Sequence, residues 1–136
     1  MKQVYLKTIV RAALAEDIGQ GDITTNNLFT DNRIIDAHLV YKSQGIVCGL
    51  NVAEWVFKTL SKKVIFTRMV EEGSKVKKGT VVAVLKGPAR AILTAERVAV
   101  NFLTHLSSIA TNTRELVDQI KSYPSKIFDT RKTTPL

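Results

Sequence analysis

The chain has 136 residues, 45% of them apolar, with only seven glycines and three prolines; that is enough for one domain with a buried core, too short for two full ones, and unlike a disordered chain. Twenty basic residues against twelve acidic give a formal charge of +8, which favours anionic partners, whether nucleic acid, phosphate esters, polycarboxylates or an anionic membrane surface, without choosing among them. Cys48 is the only cysteine and no apolar run reaches about eighteen residues, so the reading is a cytosolic protein with neither an intrachain disulfide nor a membrane span.

In chain order, residues 4–17, VYLKTIVRAALAED, place Leu6, Ile9, Val10, Ala13 and Leu14 on one stripe, which predicts an amphipathic helix. Lys7, Arg11, Glu16 and Asp17 interrupt the segment at helical spacing, so it does not read as a signal peptide. Gly19 is placed to cap the helix in a left-handed conformation. EDIGQGDITT (16–25) admits two readings. One is a carboxylate cluster for acid–base or metal chemistry; the other is a helix stop and turn whose Asp and Thr side chains bond nearby amides. The turn is the expected one, because Asp and Gly are ordinary turn residues. Residues 33–42 alternate, with Ile35, Ala37, Leu39 and Tyr41 on a buried face and Ile34, Asp36, His38, Val40 and Lys42 on the other, which predicts a strand. His38 has no second ligand at metal-like spacing and reads as an exposed strand histidine.

Residues 50–60 predict a second helix, with Trp55 in a packing role. Residues 64–87 read as strand, glycine-punctuated turn and strand, a hairpin in which Gly73 and Gly79 take positive φ and Val76 fills the core. Seven cations, Lys58, Lys62, Lys63, Arg68, Lys75, Lys77 and Lys78, outnumber Glu71 and Glu72 there; solvated lysines guarding sheet edges are the expected reading. From Gly87-Pro88 a long helix begins, apolar at Ile92, Ala95, Ala99, Phe102, Leu106 and Ile109. Its opposing stripe, Arg97, Asn101, Thr104, His105 and Ser108, is polar with one fixed charge, which suits a helix facing a pocket or a partner subunit. Ser107, Ser108, Thr111 and Thr113 lower helix propensity and predict a break or bend within 108–113, after which helix resumes to about Lys121.

After Tyr123-Pro124 a strand, KIFD (126–129), is expected, closed by Asp129 and followed by a loop with Thr130, Arg131, Lys132, Thr133 and Thr134. Ligands of α/β units bind outside the carboxyl end of such a strand. Arginine supplies a planar fork for carboxylate or phosphate, lysine a compact charge, and threonine hydroxyls can complete an anion site. A basic, solvated chain end is the other reading, and the loop chemistry leaves the two open.

EDIGQGDITT, GPARAILTAERVAVNFLTHLSSIAT and DTRKTTP, in that order and spacing, resemble the nicotinate-nucleotide pyrophosphorylase (quinolinate phosphoribosyltransferase) family over essentially the whole chain. There are two departures. Ser108 stands where the family usually has glycine, and the family motif runs on as DTRKTTPGLR where this chain has Pro135-Leu136. The resemblance implies an α+β fold: a hammerhead-like N-terminal α/β domain with a barrel-sandwich-type β-hairpin (1–110), then the first helix and strand of an incomplete α/β barrel (111–136). It also implies phosphoribosyl transfer from 5-phosphoribosyl-1-pyrophosphate to quinolinate with decarboxylation, giving nicotinate mononucleotide for NAD biosynthesis, in a head-to-tail homodimer. On that footing Arg97 reaches the neighbouring subunit's pocket, and Thr130, Arg131 and Lys132 hold the quinolinate carboxylates. The resemblance assigns no catalytic residue in this chain. Mg2+ would accompany the pyrophosphate substrate, with its ligands beyond Leu136. The expectation is therefore the N-terminal half of an enzyme, inactive alone.

Three other readings stand beside this one. A homologue of the molybdenum-transport-associated type would differ in the pocket beyond residue 136. A lipoyl or biotinyl carrier needs a Met-Lys-Met or Asp-Lys-Ala setting, which Lys75, Lys77 and Lys78 lack. A nucleic-acid-binding module would explain the charge, but the basic stretch has no interleaved aromatics and nucleic acid is not the expected partner.

Overall fold

The computed structural model describes residues 3–29, 31 and 33–132. Its elements are α1 (Gln3–Ile18), α2 (Ile23–Leu28), β1 (Ile34–Val40), β2 (Gly45–Ile46), α3 (Leu50–Leu60), β3 (Ile65–Arg68), β4 (Lys75–Val76), β5 (Val81–Pro88) and α4 (Ala89–Ile120). α1 buries Val10 and Leu14 and half-buries Leu6, Ile9 and Ala13, the stripe its spacing predicts. It stops at Gly19, φ 51°, whose amide donates to the Ala15 carbonyl at 3.1 Å. Asp22 then caps α2 by accepting from the Thr25 amide at 2.9 Å, so the turn reading of 16–25 holds.

β1, β5 and β3 form an antiparallel sheet in the order β1-β5-β3. Alternation puts Ile35, Ala37 and Leu39 in register with Gly87, Leu85 and Ala83 on the face toward the helices, while Ile34, Asp36, His38 and Val40 are exposed. Arg68, opposite Ala83, shares the helix-side row and reaches Glu54 of α3. α1, α3 and the first half of α4 close the other layer. Phe57 of α3, Leu85 of β5 and Ile92 of α4 belong to one buried cluster with Val10 and Leu14.

The hairpin is less direct than the sequence suggests. β3 and β5 pair with each other, but β4 leaves them to form a second small sheet with β2, Gly45 opposite Val76 and Ile46 opposite Lys75. Gly73 and Gly79 flank this excursion at φ 83° and 88°, and Val76 is buried as expected. α3 begins at Gly49, φ 106°, a conformation that a side chain would strain, and a Cβ there would also meet Leu106 of α4 at 2.9 Å. With no side-chain cap of its own, α3 takes Glu72 from 23 residues away: its carboxylate accepts from the amides of Gly49 at 2.9 Å and Asn51 at 3.0 Å.

The break expected at 108–113 does not occur, and the strand expected at 126–129 does not form. α4 is continuous from Ala89 to Ile120, so residues 111–120 prolong it. Three of the four hydroxyls that lower propensity are occupied: Ser107 and Thr111 bond across to Cys48 and Ile46, and Thr113 donates to the Ile109 carbonyl of its own helix at 2.7 Å, while Ser108 is exposed. The cross-bonds of Ser107 and Thr111 to the 46–48 segment let packing override propensity. Ile109, expected on the apolar face, is 52% exposed, while Val98 and Leu103 join the buried stripe. Residues 126–129 follow a turn as exposed chain, with Phe128 77% exposed. A lone strand has no neighbour to satisfy its amides, so the extended pattern of KIFD finds no ladder among the described residues.

Candidate functional site

Arg97 lies on the exposed side of α4, in the polar stripe with Asn101, Thr104, His105 and Ser108, all of them exposed. Its Nη1 donates to Asp17 Oδ1 at 3.1 Å, and the side chains are 75% and 22% exposed. One turn earlier on α4, Thr94 Oγ1 donates to Asp22 Oδ2 at 3.0 Å. Both ends of the 17–22 turn are thus tied to the helix. Hydrogen bonds from the Thr25 side chain and amide, helped by Thr94 and by the charge of Arg97, hold the Asp22 carboxyl below its ordinary range despite some burial. The contact engages one nitrogen of the Arg97 fork, and the side chain remains mostly exposed.

Thr104 and Ser108 also line a cleft of about 640 Å3 between α4 and the segment 38–45, with His38, Lys42 and Gln44 on its other side. Its floor is a closed polar network. Ser107 Oγ accepts from the Tyr41 hydroxyl and, at 3.0 Å, from the Cys48 amide, and donates to the Cys48 carbonyl at 3.0 Å. A hydroxyl has one proton and two lone pairs, so Ser107 is saturated. Burial pushes the Tyr41 phenol up, and burial with nearby Glu72 pushes the Cys48 thiol up, so neither is primed to ionise. Gly45 admits Thr111 so closely that a Cβ would meet Thr111 Oγ1 at 2.8 Å. This floor builds structure.

Thr130, Arg131 and Lys132 are exposed, and Thr130 Oγ1 accepts from the Lys132 amide at 3.2 Å; Thr133 and Thr134 lie outside the described residues. From Arg97 to the helix end at Ile120 the axis rises about 35 Å at roughly 1.5 Å per residue; Arg97 pairs with Asp17, and the hydrogen bond of the loop is internal to it. Of the basic stretch, Lys58 and Arg68 share Glu54, while Lys62, Lys63, Lys75, Lys77 and Lys78 are exposed. Trp55 packs under Lys7, whose Nζ lies 4.9 Å from the ring centroid.

Sequence reasoning missed the Asp17–Arg97 pair, the Ser107 network and the Glu72 cap. The first joins residues 80 apart, which no spacing rule reports. The second carried a signal. Ser107 falls four residues after Leu103, in phase with the buried stripe, and a polar residue in an apolar phase calls for a buried partner.

The family described as quinolinate phosphoribosyl transferase, N-terminal domain, matches residues 22–107. A Synechocystis sp. protein named probable nicotinate-nucleotide pyrophosphorylase (carboxylating) is 44% identical over 122 residues, 90% of this chain and 41% of that one. A Bacillus subtilis protein of the same name is 40% identical over 135 residues, 99% of this chain and 46% of that one. The solved nicotinate-nucleotide pyrophosphorylase from Francisella tularensis matches with a TM-score of 0.93 and 38% identity, over 99% of this chain and 48% of its own. The chain therefore spans about half the length of these relatives. The family match includes Asp22, Thr94 and Arg97, and the structural likeness confirms the α+β architecture. The chain belongs to the quinolinate phosphoribosyl transferase N-terminal domain family.

Proposed function

We propose that the chain is the N-terminal domain of an enzyme that transfers phosphoribosyl from 5-phosphoribosyl-1-pyrophosphate to quinolinate. In it, α4 lends Arg97 to the pocket of a neighbouring copy, and Thr130, Arg131 and Lys132 serve the pocket of their own chain. The observation that carries this is the exposure of an anchored Arg97 far along α4 from the 130–132 loop. That separation along the chain supports a head-to-tail homodimer, in which the Arg97 of one copy and the 130–132 loop of the other meet one small dicarboxylate. Paired cations with bidentate reach suit quinolinate, which carries two carboxylates.

In the reaction the pyridine nitrogen bonds to the anomeric carbon as the bond to pyrophosphate breaks. Carbon dioxide then leaves from the ring, and the electron pair left behind takes a proton, giving nicotinate mononucleotide. Positive charge develops at the ribose in the first step, so the protein's part is positioning and charge balance. Mg2+ carried with the pyrophosphate substrate belongs to the same proposal. Among the described residues no three His, Cys, Asp or Glu side chains gather as a metal site. A cytoplasmic location is proposed on the lone cysteine. No described helix is long and apolar enough to cross a membrane.

The test is complementation. The Bacillus subtilis relative, carrying residues 1–136 of this chain in place of its own matching segment, should form nicotinate mononucleotide, whereas the 136-residue chain alone should not. Arg97→Gln and Arg131→Ala should each silence the hybrid. Mixed and reassociated, they should recover about one quarter of the activity, because half of random dimers hold one intact site of two. No recovery on mixing, with both variants folded, would sink the shared site.

A further inference from the structure

The EDIGQGD motif has no part in the reading above, yet the fold delivers both of its aspartates to the helix that carries Arg97. Asp17, at the end of α1, meets Arg97, and Asp22, at the start of α2, meets Thr94 one turn away. The turn between them is pinned from inside: the Gly19 amide donates to Ala15 at 3.1 Å, the Gly21 amide to Ile18 at 2.8 Å, and Asp22 holds the amide of buried Thr25. Asp17 is the more buried partner of the ion pair, so the carboxylate is the anchor and the guanidinium the arm.

Resting on the reading that Arg97 meets a substrate carboxylate, we propose that the 17–22 turn is a positioning device for Arg97, with Asp17 orienting the guanidinium and Asp22 holding the turn on α4. Two effects of Asp17 oppose each other. Its charge repels an incoming dicarboxylate, and its contact spares the binding step the cost of ordering a long, exposed side chain. Both carboxylates would sit on one guanidinium, closer together than the screening length of about 10 Å at 0.1 M salt, so salt does not remove the repulsion. The Arg97 cation lies between them and offsets it, which leaves the pre-set orientation as the gain.

In the same hybrid enzyme, Asp17→Asn should raise the KM for quinolinate about tenfold, less than the roughly hundredfold that a 1 Å misplacement can cost, because Arg97 itself is kept. It should leave the KM for 5-phosphoribosyl-1-pyrophosphate within about twofold, and Asp17→Glu should recover most of the loss. In the 136-residue chain itself, the Arg97 guanidinium N–H signals should stand apart from those of free arginine and collapse onto them in Asp17→Asn. An unchanged or lowered quinolinate KM in Asp17→Asn overturns the proposal, as do Arg97 signals already averaged in the unsubstituted chain. If Arg97→Lys also leaves the quinolinate KM unchanged, the role of Arg97 itself has failed; a large loss in Arg97→Lys with none in Asp17→Asn rejects only the positioning. Should Asp17→Asn fail to fold, Thr94→Val decides. It frees Asp22 from α4 while leaving Asp17 and Arg97 intact, and a rise of about threefold in quinolinate KM is expected against no change.

Discussion

The two halves of α4 share one backbone and have opposite surroundings. From Ala89 to Ser107 the helix buries Ile92, Ala95, Val98, Ala99 and Leu103 against the body; from Ser108 to Ile120 no residue is buried, and Leu116 is 51% exposed. The difference teaches that a core starts a helix but need not accompany it. Nucleation is the costly step, and once the packed half has met that cost each further residue needs only propagation. The same divide sorts the proposed site. Arg97 stands on the packed half, held by Asp17, whereas Thr130, Arg131 and Lys132 follow the unpacked half.

The comparison breaks most directly at the core. Phe57 is 1% exposed and its ring lies 6.1 Å from that of Phe66. Phe57→Ala is expected to cost about 3–5 kcal/mol by the loss of burial and the cavity left behind. Denaturant unfolding measures it, and a cost below about 1 kcal/mol would mean that the body is not the stable unit. Next in size is Ser107→Ala, which strands the Tyr41 hydroxyl and both Cys48 backbone groups. It should cost about 1–3 kcal/mol. Ser108→Ala, one residue on and exposed, should stay within about 0.5 kcal/mol. Equal effects would erase the boundary drawn between them.

Most of the body was legible because its elements advertise their own period. The α1 stripe, the alternation of 34–40 and the 50–60 helix all emerge where expected, since each buries the face that its pattern marks. Illegible features depend on partners distant in sequence. Ser107, Thr111 and Thr113 look like helix breakers until Cys48 and Ile46 occupy two of their hydroxyls. KIFD looks like a strand, but strand is a property of a pair. Arg97 was singled out by its place in a lightly charged stripe and by the family resemblance, and neither indicated the Asp17 that holds it.

A smaller effect tests how α3 is tied to the sheet. Glu54 takes Lys58 at 2.6 Å and Arg68 of β3 at 2.5 Å. Burial raises its pKa, but the two cations outweigh burial and the carboxyl sits below its ordinary value of 4.5. A depressed folded pKa contributes stability above the unfolded value and loses it as pH falls through the folded one. Glu54→Gln should therefore be less stable than the unsubstituted chain near neutral pH. The deficit should be about 1 kcal/mol at most, because Lys58 and Arg68 are solvent-screened. It should close as the pH falls through the depressed range of the folded carboxyl, below its ordinary value of 4.5. A gap that is constant with pH would assign the loss to packing and leave the ion pairs without effect.

The smallest global effect belongs to the distal half of α4. Leu116→Gly removes an exposed side chain and lowers helix propensity by about 1 kcal/mol. If the distal half is only propagated helix, that cost appears as fraying. Amides of residues 112–120 should lose their exchange protection while those of 92–103 keep it. The global thermal midpoint should then move by less than about 2 °C. If the midpoint instead falls by the roughly 3–4 °C that about 1 kcal/mol costs a domain of this size, residues 108–120 unfold together with the core. The two halves would then be one cooperative unit that differs only in what it shows to solvent, and the Thr111 bond to Ile46 would be the link that couples them.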